Sequence, residues 1–362
     1  MKIEQPREQY AVIIIGAGPG GSNLARLLGG HGLSVLLLDG GVGGKVCAGL
    51  LSPDAQDLLA TYDISLPREL LVSPQLFSVR TIDLGGGPVR HYRRSYMNVD
   101  RAKFDRFLLN MVPKDIDVLP ARASCVLQEE NGYVVTVRAH GVTYETRCTY
   151  LVGADGATSL VRRLLFPHAR IEQYAAIQQW YQADNSNPYY SCIFDNATSP
   201  GCSWIFFKDG QLVFGGAFAR HGCRAAFEKQ KRKLTAQGIV SAEVLAAPQK
   251  TEACLVSRPH LGSGICLGGQ GAFLIGEAAG LISPSSFEGI SYALASAEGL
   301  AAALLRGGSK SKILHTYRKK TAALRAKVKL RCLKRPFMYN RFLRMLILKS
   351  GIGSLNLKGE KT

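Results

Sequence analysis

A glycine-rich turn near the start of the chain constrains the fold more than any other feature of this sequence. The stretch YAVIIIGAGPGGSNLARLLGGHGLSVLLLD reads as a strand, a glycine turn, a helix and a second strand. Gly16, Gly18 and Gly21 have G-x-G-x-x-G spacing, which permits a tight turn and a close approach of the backbone to a pyrophosphate. Asp39 ends the second strand, where an acid can bind a ribose. The sequence therefore predicts a βαβ unit that binds a dinucleotide.

Two later segments repeat the pattern of a strand, a turn and a helix. In YLVGADGATSLVRRLL the strand ends at Gly153, and Asp155 and Gly156 form the turn. In FLIGEAAGLISPSSFEGISYALASAEG, Glu277 stands at the mouth of a strand and a helix is predicted over residues 289–305. A nicotinamide cofactor has no need of these two further contacts, whereas FAD is long enough to reach them. The sequence therefore predicts FAD as the cofactor.

The basic charge of the chain is concentrated at its C-terminal end. Residues 310–362 carry 16 Lys and Arg and one acidic residue, whereas the preceding 309 residues carry 29 basic and 26 acidic residues. Pro336 is predicted to divide this tail into two helical pieces, with apolar side chains among Arg341, Arg344 and Lys349. Its longest apolar run, four residues, is far below the ~20 needed to span a membrane. Two interpretations stay open: an amphipathic helix on an anionic membrane surface, or a helix packed on the body with solvated charges.

The composition indicates the cellular compartment of the protein and the kinds of site that its sequence supports. The nine cysteines are scattered without any Cys-x-x-Cys pair, and the early apolar run is a strand rather than a leader, which favours a reducing cytosol. We expect a cytoplasmic protein, peripheral at the inner face of the membrane. No metal-ligand constellation is present, and because the basic tail lacks a recognised nucleic-acid motif, no nucleic-acid partner is expected.

The predicted fold class is α/β, with a Rossmann-like FAD-binding domain, an inserted antiparallel β-sheet domain and a C-terminal helical tail. We predict four segments: 9–168 as the first part of the FAD-binding domain, 169–267 as the sheet domain, 268–309 as its second part and 310–362 as the basic helices. The inserted strands are rich in aromatic residues that either shape an apolar substrate tunnel or form ordinary sheet core. These residues are Trp180, Tyr190, Trp204, Phe206 and Phe214.

The three motifs, in this order, resemble those of FAD-dependent oxidoreductases of the p-hydroxybenzoate hydroxylase type. More narrowly, AGLLSPDAQ, YLVGADGATSLVRR and LIGEAAGLISPSSFEGISYAL are similar to the geranylgeranyl reductase-like branch, and closest to its CbrA-type proteins. The likeness runs from about residue 48 to residue 294 and, with the glycine turn, covers most of the chain. It implies FAD as the cofactor and a redox reaction at the flavin ring.

The resemblance also implies roles for residues beyond the first glycine turn. Glu277, where most relatives have Asp, would reach a ribityl hydroxyl, and Pro284 would lie near the flavin ring. Gly289 and Ile290 would offer backbone N–H groups to the flavin pyrimidine edge, and Arg101 would contact FAD or remain a solvated helix charge. Asp155 and Gly156 would belong to the cofactor shell.

A cysteine near the flavin is a further implication of the resemblance. The sequence KVCAG retains Lys45 and Cys47 of the family's Lys-x-Cys-Gly-Gly pattern, although Ala48 replaces one glycine. Cys47 would shape the cofactor site, and its alternative role is that of a small buried hydrophobe. We predict no certain catalytic side chain, because the flavin N5 carries the hydride.

Three functions are compatible with these features. The leading hypothesis is an FAD-dependent reductase that saturates double bonds of an isoprenoid or polyprenyl lipid at the membrane surface. The second is a monooxygenase acting through a flavin hydroperoxide, and the third is a non-catalytic, membrane-associated protein that holds FAD. Because the chain has no second glycine-rich unit, the electron donor, NAD(P)H or a reduced redox protein, would bind transiently.

Overall fold

The structure is a computed structural model that describes residues 2–41, 46–183 and 187–356. Within these residues the strands are β1 (Gln9–Ile15), β2 (Val35–Leu38), β3 (Leu50–Leu51), β4 (Leu76–Asp83), β5 (Arg90–Asn98), β6 (Asp117–Leu119), β7 (Arg122–Gln128), β8 (Tyr133–Ala139), β9 (Val142–Gly153), β10 (Glu172–Gln182), β11 (Tyr189–Phe194), β12 (Ser203–Lys208), β13 (Gln211–Phe218), β14 (Lys250–Arg258), β15 (Gly268–Gly269) and β16 (Ala272–Leu274). The helices are α1 (Pro19–Leu28), α2 (Pro53–Thr61), α3 (Arg101–Asn110), α4 (Leu160–Leu165), α5 (Cys223–Ala236), α6 (Ala242–Ala246), α7 (Ile290–Arg306), α8 (Lys310–Lys320), α9 (Ala322–Tyr339) and α10 (Arg341–Ser350).

The chain forms two compact units, each built from several segments. The first unit comprises Met1–Gly44, Ala102–Glu172 and Ser257–Cys332, and the second comprises Lys45–Arg101, Gln173–Val256 and Leu333–Thr362. These bounds differ from the predicted segments, which placed residues 45–101 in the FAD-binding domain. The difference arises because β4 pairs in parallel with β11 and antiparallel with β5, so this segment completes the second sheet.

The first unit is built on a mainly parallel sheet. Its strands follow the order β15-β16-β9-β1-β2-β6, and β8 and β7 extend it as an antiparallel hairpin beside β9. The central strands β1 and β2 are almost continuously apolar because both faces of the sheet are buried. α1 packs closely on α7, where a side chain at Gly20 would come within 3.4 Å of Ala293, and Asn23 donates to the carbonyl of Leu294 at 3.2 Å.

The second unit is built on a sheet with the strand order β14-β10-β13-β12-β11-β4-β5-β3. From β10 to β3 the neighbouring strands pair antiparallel, except that β11 lies parallel to β4. One face packs against α5 and α6 through an apolar cluster that includes Tyr181, Phe207 and Phe227. A Rossmann-like sheet and a separate, largely antiparallel sheet are the predicted fold class, which the structure confirms.

The helical tail differs from its prediction in two places. Pro336 lies inside α9, and the helix continues to Tyr339, so the proline does not divide the tail. The break comes at Asn340, whose side-chain oxygen accepts from the N–H groups of Phe342 and Leu343 and begins α10. Arg344 is buried rather than solvated, because it forms an ion pair with buried Asp83. Among the described residues, no helix is both long and apolar enough to cross a membrane.

Candidate functional site

The three predicted turns leave the first sheet at one edge. Ile15 of β1 is in register with Gly153 of β9, and Gly153 is in register with Leu274 of β16. The chain that follows these parallel strands carries the glycine turn, the Asp155–Gly156 turn and Glu277, in that order. Segments more than 250 residues apart in sequence are therefore neighbours at the carboxyl edge of the sheet, where open α/β sheets bind ligands.

Glycine is required twice at the first turn for steric reasons. Gly16 has a φ of +108°, and a side chain there would approach the carbonyl oxygen of Ala154 to 2.7 Å. A side chain at Gly21 would lie 1.8 Å from the carbonyl oxygen of Gly16. Both glycines are therefore needed to hold the turn against its own backbone and against the neighbouring strand end.

Gly18 differs from the other two glycines because a side chain there would meet no described atom within 4 Å. It is the N-cap residue of α1, and no side chain caps the helix at this position. The start of α1 therefore combines open space at Gly18 with uncapped N–H groups and the positive end of the helix dipole, as a pyrophosphate site requires. Asp39 follows β2 at the same edge, and its Oδ1 accepts from the N–H of Gly41 at 3.2 Å.

The second and third turns bring two carboxylates to this edge. Asp155 accepts from the N–H of Leu160 at 2.6 Å through Oδ2, while its buried Oδ1 has no partner in the described part of the chain. Burial raises the pKa of the Asp155 carboxyl. Glu277 is 8% exposed and lies beside the second turn, because its Oε2 would be 4.0 Å from a side chain at Gly156.

The end of β14 contacts both Glu277 and the loop at Pro284, and sequence reasoning missed these contacts. The N–H of Ser257 donates to Oε1 of Glu277 at 2.8 Å. The next residue, Arg258, is fully buried and donates from Nε to the carbonyl of Pro284 at 2.9 Å, while its guanidinium lies 5.3 Å from the ring centroid of Phe287. The sequence signal was an arginine in the otherwise uncharged strand end LVSRP.

The loop that Arg258 holds leads directly into α7. Within it the N–H of Ser283 donates to the carbonyl of Glu288 at 2.9 Å, and Phe287 has a φ of +56°. Gly289 is the N-cap of α7 and Ile290 its first residue, and the glycine has no side chain with which to cap the helix. The α7 N-terminus therefore offers N–H groups and a positive dipole end, as expected for the flavin pyrimidine edge.

Two predicted residues, Cys47 and Arg101, belong to the second unit, and Lys45 lies outside the described residues. Cys47 accepts from the N–H of Gly49 at 3.5 Å through Sγ. Buried Lys208 donates from Nζ to the carbonyl of Val99 at 2.6 Å. Burial lowers the pKa of Lys208 to about 8, with Cys47 opposing and Arg101 reinforcing the shift.

The second sheet presents an aromatic face opposite its helix-covered face. Trp180, Tyr190, Trp204 and Phe206 form one cluster on that face, and all but Phe206 are partly exposed. Phe214 does not belong to it, because it pairs with Ile205 and therefore points to the other side of the sheet. There it is fully buried and stacks on Phe227 at 4.9 Å, so it is core rather than tunnel lining.

Comparisons with known proteins agree with this geometry. Residues 120–209 match the family model described as FAD binding domain. Protein CbrA of Escherichia coli O6:H1 is 41% identical over 360 residues, covering 96% of this chain and 95% of the relative.

Two solved structures show a similar fold. A geranylgeranyl bacteriochlorophyll reductase-like protein from Thermoplasma acidophilum superposes with a TM-score of 0.75 at 21% identity, covering 95% of this chain and 88% of the other. A probable FAD-dependent monooxygenase, PqsL of Pseudomonas aeruginosa, gives 0.68 at 18% identity, covering 94% and 100%.

The fold, the converging turns and these comparisons define a protein with the fold of FAD-dependent oxidoreductases. The chain belongs to the CbrA family. Its cofactor is FAD, which supplies hydride transfer at the flavin ring when bound. The first unit fits this group on its own geometry, because among the described residues Gly18 leaves open space before α1 and the buried Oδ1 of Asp155 has no hydrogen-bond partner.

Arg258→Met is expected to weaken FAD binding by about tenfold or more, because loss of a hydrogen bond from a charged donor costs about 1.5–3 kcal/mol. The substitution frees the Pro284 carbonyl and the loop that precedes α7. Titration of apoprotein with FAD measures the change. Arg163→Met, at an exposed position on α4, is the matched control and should bind FAD as the wild type does. Equal affinities for all three proteins would contradict this role of Arg258.

Lys208 is expected to make the free energy of unfolding depend on pH in the alkaline range. Below about pH 8 it is charged in both the folded and the unfolded chain, and its burial is costly. Between pH 8 and its ordinary pKa of 10.5 only the unfolded chain keeps the proton, so the free energy of unfolding rises, by on the order of 3 kcal/mol. The stability of Lys208→Met relative to wild type should therefore fall across this window in urea titrations. For Lys229→Met, an exposed position on α5, the difference from wild type should not change in this way. A pH-independent difference for Lys208→Met would contradict the argument.

Proposed function

We propose that this protein reduces double bonds of an isoprenoid or polyprenyl lipid at a membrane surface by hydride transfer from reduced FAD. The observation that carries the proposal is the aromatic face of the second sheet, where Trp180, Tyr190 and Trp204 remain partly exposed. Contiguous apolar surface of this kind is characteristic of sites for apolar ligands. The fold likeness to a geranylgeranyl bacteriochlorophyll reductase-like protein adds support for the substrate class.

The site residues of the first unit have complementary roles in this proposal. The α1 N-terminus binds the pyrophosphate, Asp39 binds the adenosine ribose, and Glu277 accepts a hydrogen bond from a ribityl hydroxyl. The positive end of the α7 dipole, at Gly289 and Ile290, stabilises negative charge on the reduced flavin. A donor such as NAD(P)H or a reduced redox protein supplies the electrons.

The C-terminal helices support a location at an anionic membrane. Exposed apolar side chains lie at the C-terminal end of α9 and along α10. Phe337 is 54% exposed, Phe342 80% and Leu346 66%. Exposed Lys334, Arg341 and Lys349 stand among them. Such a surface buries its apolar side chains at the headgroup boundary while its cations bind anionic lipids.

Contacts with the second sheet fix the orientation of α10. Arg344 binds Asp83, Arg341 donates to the carbonyl of Gly85, and Arg90 donates to the carbonyl of Leu348. Because Leu348 and Arg344 already face the sheet, Phe342 and Leu346 point away from it. This arrangement favours the membrane interpretation of the tail over complete packing on the body.

The double variant Phe342→Glu/Leu346→Glu is expected to reduce binding to vesicles containing anionic lipid by about 100-fold, since each buried side chain contributes about 1.5–3 kcal/mol. Sedimentation with vesicles measures the bound fraction. Leu127→Glu, at a 60% exposed position on β7, is the control and should bind as the wild type does. If the double variant binds these vesicles as the wild type does, the C-terminal helices do not bind the membrane as proposed.

The reaction itself is tested without oxygen. FAD-loaded enzyme is reduced with dithionite, mixed anaerobically with geranylgeraniol, and followed by flavin absorbance and product mass. The proposal predicts reoxidation of the flavin coupled to gain of two hydrogens per saturated double bond. If the flavin is reoxidised only after oxygen is admitted, with an oxygen atom in the product, the protein is a monooxygenase. If no substrate or donor changes the flavin, a role in holding FAD remains.

A further inference from the structure

Two buried polar atoms on the aromatic face have no hydrogen-bond partner in the described part of the chain. They are Nε1 of Trp204, which can only donate, and Oε1 of Gln178, which can only accept. Gln178 is 0% exposed, and its amide nitrogen donates to Oε2 of Glu252 at 2.8 Å, which orients its oxygen the other way. Since buried polar groups are nearly always hydrogen-bonded, this donor and this acceptor point to a group that the protein does not supply.

The two residues are neighbours because of the strand register. Gly215 on β13 pairs with Gln178 on β10 and with Trp204 on β12, so all three lie side by side. A side chain at Gly215 would lie 2.6 Å from Nε1 of Trp204 and 2.7 Å from Cβ of Gln178. The glycine therefore lets the indole lean across β13 towards Gln178, and the donor and acceptor are brought to one place beneath the partly exposed aromatic side chains of this face.

We propose that Trp204 and Gln178 form a subsite for the hydroxyl group of an isoprenoid alcohol. A hydroxyl is a neutral group that accepts a hydrogen bond from the indole N–H while it donates one to the amide oxygen. The neighbouring Trp180, Tyr190 and Phe206 provide apolar surface for the hydrocarbon chain. This inference rests on the proposed function, because it specifies the head group of the same substrate.

The charges around the subsite disfavour a phosphorylated lipid. Glu252 accepts from Trp180 Nε1 at 2.7 Å, from Gln178 and from Lys250 Nζ at 2.6 Å. Burial acts to raise the pKa of Glu252, but these hydrogen bonds outweigh it and hold the pKa below its ordinary range. A phosphate would meet this carboxylate and the Gln178 oxygen, while Lys250 is already paired.

Binding to oxidised, FAD-loaded enzyme tests the subsite separately from the reaction. The ligands are geranylgeraniol, its diphosphate and the corresponding hydrocarbon without the hydroxyl, compared by calorimetry in the same detergent. We expect the alcohol to bind about tenfold more tightly than the hydrocarbon and more tightly than the diphosphate. Trp204→Phe keeps an aromatic ring but removes the N–H, and should bring the alcohol within about twofold of the hydrocarbon. Gln178→Met tests the acceptor and should have the same effect.

Two outcomes overturn the subsite: tighter binding of the diphosphate than of the alcohol, or an equal loss for alcohol and hydrocarbon in Trp204→Phe. The second outcome means that a water molecule or simple packing satisfies the indole. Failure of the proposed function has a different signature. If the alcohol binds in a Trp204-dependent way but is never saturated by reduced enzyme, the subsite stands and the reductase reaction does not. If reduced enzyme saturates the isoprenoid equally well in wild type and in Trp204→Phe, the reaction stands and the subsite does not.

Discussion

Replacement of Gly18 by valine is expected to leave the protein folded while weakening its binding of FAD by at least about 100-fold, or about 3 kcal/mol. Gly18 has an extended backbone with φ −71° and ψ −175°, which valine adopts without strain. A Cβ atom added there has no described atom within 4 Å, so we expect the fold to be kept. The valine side chain fills the space before the α1 N-terminus, where the pyrophosphate is proposed to bind.

Two measurements distinguish a role of Gly18 in FAD binding from a role in the stability of the fold. Fluorescence titration with FAD measures the affinity, and thermal unfolding of the apoprotein measures the fold. Gly269→Val is the matched control, because a Cβ atom added at Gly269 also has no described atom within 4 Å but this residue lies on β15. That variant should bind FAD normally. If Gly18→Val binds FAD as tightly as wild type, the pyrophosphate does not lie before α1.

Arg344→Met is expected to lower the free energy of unfolding by about 3–5 kcal/mol, because it leaves the Asp83 carboxylate buried without its counter-ion. The side chains of Arg344 and Asp83 are only 5% and 1% exposed, and the guanidinium nitrogens Nε and Nη2 each lie 2.8 Å from the same carboxylate oxygen. The guanidinium also donates to the carbonyl of Met338 and to Asn196. The loss therefore removes the main attachment of α10 to its sheet.

Urea unfolding measures this loss, and two further variants locate its cause. The double variant Asp83→Leu/Arg344→Met removes both charges and should recover much of the stability. Arg147→Met breaks an ion pair with Glu129 whose side chains are 54% and 48% exposed, so it should cost less than about 1 kcal/mol. Equal effects of Arg344→Met and Arg147→Met would show that burial does not govern the Asp83 pair.

Local periodicity was sufficient to predict the first unit's central elements. The strand, glycine turn and helix around Gly16 and the later helix α7 stand where the sequence pattern placed them, because glycine spacing and apolar runs act over a few residues. The convergence of Gly16, Asp155 and Glu277 also followed, since parallel strand ends share an edge. Their roles towards FAD remain predictions that the variants above test.

Long-range pairing could not be read from one sequence. Nothing local to residues 76–98 indicates that β4 pairs with β11, more than 100 residues later, so the segment was assigned to the other domain. The sequence leaves open whether Phe214 lines a tunnel or belongs to the core for a related reason, because a strand's inward and outward faces are distinguished only once its register is known.

Side chains that act through tertiary contacts could not be identified from the sequence either. Arg258 holds the loop at Pro284 only because the end of β14 meets that loop in the folded chain. Pro336 was read as a helix break, yet the helix accommodates it and ends where Asn340 caps the next one. In each case the residue's role depends on its surroundings in the folded chain, so the sequence pattern alone does not predict it.

Titration of the apoprotein with FAD and with FMN tests most directly the claim that widely separated segments hold one extended dinucleotide. FMN lacks the adenosine and one phosphate, and so cannot use the α1 N-terminus and Asp39 together with Glu277 and the start of α7. We predict one FAD per chain and an affinity for FMN lower by at least about 100-fold. Equal affinities for FAD and FMN would show that the glycine turn at Gly16 takes no part in binding, and would contradict the claim.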